Sequence, residues 1–359
     1  MDRLFPFGFP SATAFYLALY VLTLVIHVAF MNYVLAGTGY LVASALLSRR
    51  RTDGDGLTLA DTLRDWMPFA LSAAITAGVA PLLFVQILYK KNFYTANLLL
   101  FHRWMAILPV LIVGFYLLYL LKARAAERWP AWGRTLLAFG ALLCFAFTAY
   151  SWTENHLLSA DSTNWPGLYE SNARTYWHPQ LVPRLFLWAA GAVATMCLLA
   201  AWQLHFAGGM KPFSAADVGR LARLALAGLV FSGAGGLAYW YFLEAPQRRV
   251  LTGPLAGPYL AAALIGLVVQ LFAWLDQLRH ATIRPKSLMV CSIGLSMTLV
   301  CVTVVREALR LASIDIATLQ EQHLAAASKG GLFVFLLFFA VNAGLIAWCL
   351  RLARRKQPG

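Results

Sequence analysis

Residues 13–47 read TAFYLALYVLTLVIHVAFMNYVLAGTGYLVASALL, an apolar run far longer than the roughly 20 residues that carry a helix across a bilayer. Eight further apolar segments follow, at about 66–88, 97–121, 134–155, 183–206, 220–243, 255–278, 287–306 and 330–350. Nine such segments and no stretch left over for a soluble domain define an all-α polytopic transmembrane bundle of about nine helices, one integral membrane domain over 1–359. No small-residue cleavage site follows the first run, so it reads as a retained helix with an extramembrane extension. The longest connection, residues 156–182, carries Trp165, Pro166, Gly167, Tyr176 and Trp177, which suits an interfacial loop with aromatic anchors.

Composition agrees. Of the 359 residues 60% are apolar and 12% charged, whereas a soluble domain is about half apolar and a quarter charged. The 29 basic and 15 acidic residues leave a net charge of +14. Those basic residues sit in short clusters between apolar runs rather than along a polar helix face, which excludes nucleic acid as the partner. Cys144, Cys197, Cys291, Cys301 and Cys349 all fall inside apolar runs without a CxxC or CxxCH. That excludes a disulfide scaffold, a zinc ribbon and a covalently attached haem.

An odd number of crossings puts the termini on opposite sides, and basic residues mark the cytoplasmic one. With the C-terminus inside, 18 of the 29 basic residues, including Arg49, Arg50, Arg51, Lys122, Arg124, Arg134, Lys211, Lys286 and Lys356, face the cytoplasm. Arg3, Lys90, Lys91, Arg103, Arg248, Arg249, Arg306 and Arg310 then lie toward the outer face. The N-terminus is expected outside, in a bacterial inner membrane.

Ionisable residues inside apolar helices are costly and mark function. His27 lies 22 residues before Arg49, His102 20 before Lys122, His156 22 beyond Arg134 and Glu307 21 beyond Lys286. At about 1.5 Å per residue each stands about 30–33 Å from its inner anchor, so the four form one layer at the outer edge of the hydrocarbon. Imidazoles between apolar helices with arginines beside them suit a b-type haem: His27 and His102 as iron ligands, Arg103, Arg306 and Arg310 for the propionates. A lone His at a helix end is usually an interfacial residue, and His156 reads equally as that or as a ligand. His178 and His323 read as solvated loop residues, Lys90 and Lys91 as a solvated turn. Gly37, Gly39, Gly233, Gly235 and Gly236 read as sites of close helix contact. Beside Arg306 and Arg310, Glu307 reads as an interfacial ion pair if it is exposed.

The motifs resemble subunit I of the cytochrome bd quinol oxidases across most of the chain. Tyr20 to His27 resembles that family's opening helix, which implies that His27 ligates the oxygen-reducing haem. Gly78-Val79-Ala80 through Gln86 to Phe93 is similar to the family's GVATG…EFQFGTNW, with Gln86 for its glutamate and Lys90-Lys91 for Gly-Thr. His102-Arg103-Trp104-Met105-Ala106 stands where the family has EGLMA, and Trp152-Thr153-Glu154-Asn155 where it has W-M-Q-N. Glu307-Ala308-Leu309-Arg310 resembles E-V-G-R, which implies that Glu307 ligates or adjoins a second haem and that Arg310 holds a propionate. The chain departs from the family where its low-spin haem is held, at Val182 and Leu264, and in its short connection at 244–254 in place of the quinol-binding loop.

With His102 in place of a glutamate, the resemblance implies an iron saturated by two histidines and suited to electron transfer. The expectation is a haem b subunit of a membrane oxidoreductase complex, with one or two haems. It passes electrons between an outer-side c-type cytochrome or iron–sulfur subunit and quinone. A divergent terminal oxidase, in which His102 does not ligate, and a haem-free scaffold or transporter are the alternatives. The orientation carries its own test: a reporter fused after Lys356 is expected in the cytoplasm and one inserted in 156–182 outside, and the reverse pattern would overturn the depth argument.

Overall fold

The computed structural model describes residues 5, 6, 8–47, 59–123, 128–207, 215–314, 316–327 and 331–355. Of the basic anchors, Arg3, Arg49, Arg50, Arg51, Arg124, Lys211 and Lys356 lie outside the described residues. The chain runs as α1 (Ser11–Leu47), α2 (Leu59–Leu88), α3 (Lys90–Leu99), α4 (Phe101–Lys122) and α5 (Ala131–Ala160). A 3-10 turn and the short α6 (Trp165–Glu170) lead to α7 (Leu181–Ala207), α8 (Ala215–Phe242), α9 (Ala245–Thr252), α10 (Gly257–His280), α11 (Pro285–Leu311), α12 (Ile316–Ala327) and α13 (Gly331–Arg355). Among the described residues there is no strand.

Among the described residues eight helices, α1, α2, α4, α5, α7, α8, α10 and α11, are long and apolar enough to cross a membrane. The ninth, α13, carries the apolar stretch Leu336–Leu345. This is an integral membrane protein, and large apolar side chains such as Leu237, Phe272 and Leu108 stand exposed on its helices, as lipid-facing side chains do.

Consecutive helices pair closely as α1/α2, α4/α5, α7/α8 and α10/α11, and α1 also packs on α5, α7 and α11. With little hydrophobic drive between helices in lipid, small residues and polar contacts hold such pairs. Gly266 and Gly294 set the α10/α11 crossing: a Cβ on Gly266 would lie 2.6 Å from Thr298 Oγ1 and 2.7 Å from the Gly294 carbonyl. Gln270 donates to Thr298 Oγ1 at 3.0 Å beside it. Of the glycines singled out above, Gly37 meets Met67, and a Cβ on Gly235 would lie 2.7 Å from Leu187 Cα. Gly39 and Gly233 face open space, and Gly236 makes only ordinary contact. Asn32 ties α1 to α7, donating to Thr195 Oγ1 at 3.2 Å and accepting from Trp188 Nε1 at 2.7 Å.

Connections at the end of the bundle where α1 begins are more ordered than expected. Lys90 and Lys91 open α3 rather than a turn, and 245–252 forms α9. Residues 161–180 fold around Asp161, which accepts from Thr163, Asn164 and Tyr176. Burial pushes this carboxyl up, but the three hydrogen bonds outweigh it and hold it below its ordinary value. Trp177 is exposed, in keeping with an aromatic anchor.

His323, expected in a solvated loop, is instead fully buried. Its Nε2–H donates to the Leu88 carbonyl at 3.0 Å, and its Nδ1, 2.8 Å from Thr13 Oγ1, accepts from that hydroxyl. Thus α12 folds back over α1 and α2, burying a group that sequence position alone had placed in water.

Gly266→Ala is expected to cost about 1–3 kcal/mol because Thr298 and the Gly294 backbone must move. Gly233→Ala, with nothing near, should leave stability unchanged or raise it by up to about 1 kcal/mol. Thermal unfolding in detergent compares the two, and equal effects would contradict the close crossing.

Candidate functional site

Glu307 on α11 has no exposed surface. A carboxylate there needs donors on both oxygens, and it has them. Arg306 donates to Oε1 through Nη2 at 2.8 Å and Nε at 3.1 Å, and the Tyr89 hydroxyl donates to Oε2 at 2.8 Å. The same Arg306 Nη2 reaches the Tyr20 hydroxyl on α1. One helical turn beyond Arg306, Arg310 is only 4% exposed. Its guanidinium lies 3.9 Å from the centre of the Tyr89 ring, and its Nη2 donates to Ser159 Oγ on α5 at 3.1 Å. The exposed ion pair envisaged for Glu307 does not describe this arrangement, because the carboxylate is sealed from solvent.

His156 and Arg184 extend the cluster. Arg184 Nη2 on α7 lies 3.0 Å from His156 Nε2. Guanidinium only donates, so Nε2 is the acceptor and the ring proton sits on Nδ1. The nitrogen that would meet a metal is therefore already engaged. Arg184, Arg306 and Arg310 all lie within electrostatic reach of His156.

His27 lies within electrostatic reach of Arg306. Its Nδ1 is 2.8 Å from the Ala74 carbonyl on α2, so Nδ1–H donates and the lone pair is left on Nε2, which has no hydrogen-bond partner among the described residues. Gly78 holds the ring in place: a Cβ there would come within 2.9 Å of His27 Nδ1 and Cε1. An imidazole with one nitrogen tied to a backbone carbonyl and the other free is the form in which histidine ligates metal.

The structure does not pair His102 with His27. His102 is exposed on α4, a helix that packs on α5 and α2, with Phe101 edge-on beside its ring. Its neighbour Arg103 is engaged elsewhere: Nε lies 3.2 Å from Glu154 Oε2, the guanidinium covers Tyr150 at 4.9 Å, and Glu154 Oε1 accepts from the Tyr176 N–H at 2.7 Å. His178 is half-buried, its Nδ1 accepting from the Gln180 N–H at 3.2 Å.

Against the demands of a haem, His27 offers the free imidazole nitrogen, and Arg310 and Arg184 have no carboxylate partner among the described residues. Arg306 and Arg103 already pair with Glu307 and Glu154. Glu307 Oε1 takes both hydrogen bonds from Arg306 and Oε2 takes one from Tyr89. Among the described residues no three His, Cys, Asp or Glu side chains converge on a bare metal ion. Sequence reading missed Tyr20, Tyr89, Ser159 and Arg184. Of these only Arg184 carried a signal, as a charge within an apolar run. Compared with family models, with curated proteins and with solved structures, the chain matches none.

Arg306→Ala strands the buried carboxylate and is expected to cost about 3–5 kcal/mol, as when one partner of a buried pair is removed. Glu307→Gln, which keeps an acceptor for Tyr89, should cost less. Thermal unfolding checks both, and a loss within about 1 kcal/mol for Arg306→Ala would match only an exposed pair.

Proposed function

We propose that the chain is a haem b membrane subunit of a respiratory electron-transfer complex in a bacterial inner membrane, with His27 as iron ligand. Electrons pass between the quinone pool and an outer-side partner of the complex, a c-type cytochrome or iron–sulfur subunit. The observation that carries this reading is the locked His27 imidazole, whose Nε2 lone pair is free beside a buried layer of arginines. When bound, haem supplies one-electron chemistry that no side chain here offers. The chain's own part is to fix and to shield. The Ala74 carbonyl fixes the His27 tautomer and orientation, Gly78 leaves room for the ring, and Arg310 and Arg184 supply positive charge for propionates. Tyr89 and Arg306 hold the Glu307 side chain in place by hydrogen bonds to its two oxygens. The layer lies at the end of the bundle where α1 begins, which the distribution of basic residues assigns to the outer face.

The exposure of His102 favours a second reading. An iron held by His27 without His102 keeps a position open, as a divergent terminal oxidase reducing oxygen requires.

A reduced-minus-oxidised optical spectrum of the purified chain, with and without carbon monoxide, tests both. A haem b band that His27→Ala abolishes is expected. A band that does not shift with carbon monoxide identifies the electron conduit, and its loss in His102→Ala would make His102 the second ligand. A band that survives His102→Ala and shifts with carbon monoxide identifies the oxidase. Absence of any haem band in the parent protein would overturn both and leave a scaffold or transporter.

A further inference from the structure

The buried layer carries more positive charge than its own carboxylate balances. Arg184, Arg306 and Arg310 converge there, within electrostatic reach of one another and of Glu307. Glu307 is bound by Arg306 and Tyr89. Among the described residues no carboxylate lies within ion-pair distance of Arg184 or Arg310. Two guanidiniums brought together at the edge of a membrane interior without counter-charge are costly.

A second observation points the same way. Arg310 is 4% exposed, and its Nε is a buried donor with no hydrogen-bond partner among the described residues. Ser159 takes one Nη2 proton and the Tyr89 ring faces the guanidinium plane, so one edge of the fork is left unmet. Arg184 is half-buried, donates to His156 Nε2 at 3.0 Å and has the Tyr239 ring centre 5.8 Å from its guanidinium carbon. Paired guanidinium forks with unmet N–H groups fit the oxygens of a phosphate or carboxylate.

We infer that Arg184 and Arg310 form an oxyanion site at the junction of α5, α7 and α11. It takes a phosphate or carboxylate group that supplies the missing negative charge and accepts from Arg310 Nε. Three sources share this chemistry: the headgroup of a membrane phospholipid, free phosphate, and the propionate of the haem proposed above. The site does not rest on the haem reading, since either phosphate source would complete it in a haem-free protein.

The full chain, purified in neutral detergent, is assayed for phospholipid phosphorus and haem per polypeptide, and its unfolding temperature is followed while inorganic phosphate is titrated in. Arg184→Gln and Arg310→Gln are each expected to lose the same one of three signals: bound phospholipid, bound haem, or a saturable rise in unfolding temperature with phosphate. Which signal is lost names the source. Arg184→Lys and Arg310→Lys keep a charge without the fork. They are expected to show that signal weakened about tenfold or more in apparent affinity or occupancy, and they supply the readout if a glutamine variant fails to fold. Lys90→Gln, an exposed charge at the same end, should change nothing. Parent and Arg variants that agree in all three measurements, or a parent that shows none of the signals, would overturn the site. A parent without haem that still loses phospholipid or phosphate response in the variants would sink the haem reading alone.

Discussion

A carboxylate cut off from both water and lipid has to be met by protein donors, and Glu307 is the group around which one end of this bundle is organised. Arg306 and Tyr89 satisfy its two oxygens. In doing so they fix the end of α11 against the junction of α2 and α3, and through Tyr20 against α1. Arg310 then reaches α5 through Ser159, and Arg184 brings in α7 through His156. Glu307 demands its donors because a buried charge must be answered, whereas Arg310 and Arg184 meet the neutral partners Ser159 and His156. These directional contacts set the rotation and height of the helices, which the close contact of small residues alone would define less sharply.

His27 stands beside this network and is built differently. Its ring is restrained by one backbone carbonyl and by the absence of a side chain at Gly78, so the free nitrogen is a consequence of helix packing rather than of a polar partner. The network and the imidazole together place three guanidinium groups and an unpartnered imidazole nitrogen within one part of the bundle. That combination distinguishes this end of the protein from the rest of its apolar surface.

Much of the architecture was legible because a spanning helix announces itself by length and apolarity, which need no tertiary information. Counting residues from basic anchors placed His27, His156 and Glu307 at a common level; His156 and Glu307 do meet the same group of arginines, whereas His27 contacts Ala74 and Gly78 midway along α2 and so stands deeper than Glu307, which meets Tyr89 at the end of that helix. The count gives a rough height and says nothing of rotation. His102 shares the level but is exposed on α4, and α4 is apolar nearly all round, so its sequence gave no sign of which side meets a neighbour. His323 illustrates the converse. Its segment looks like a loop in sequence, and only the return of α12 across α1 and α2 buries it. Tyr20 and Tyr89 were silent because a tyrosine near the end of an apolar helix ordinarily serves as an interfacial anchor. Their role exists only through the buried charges they meet.

The functional reading turns on the proposal that His27 Nε2 holds the iron of a haem. An experimental density map of the chain purified from its native membrane addresses this most directly. The account predicts a planar macrocycle with its metal centred on His27 Nε2 and an acidic edge turned toward the arginine layer. Protein side chains or lipid tails filling the space in front of Nε2, with no macrocycle in the bundle, would contradict it.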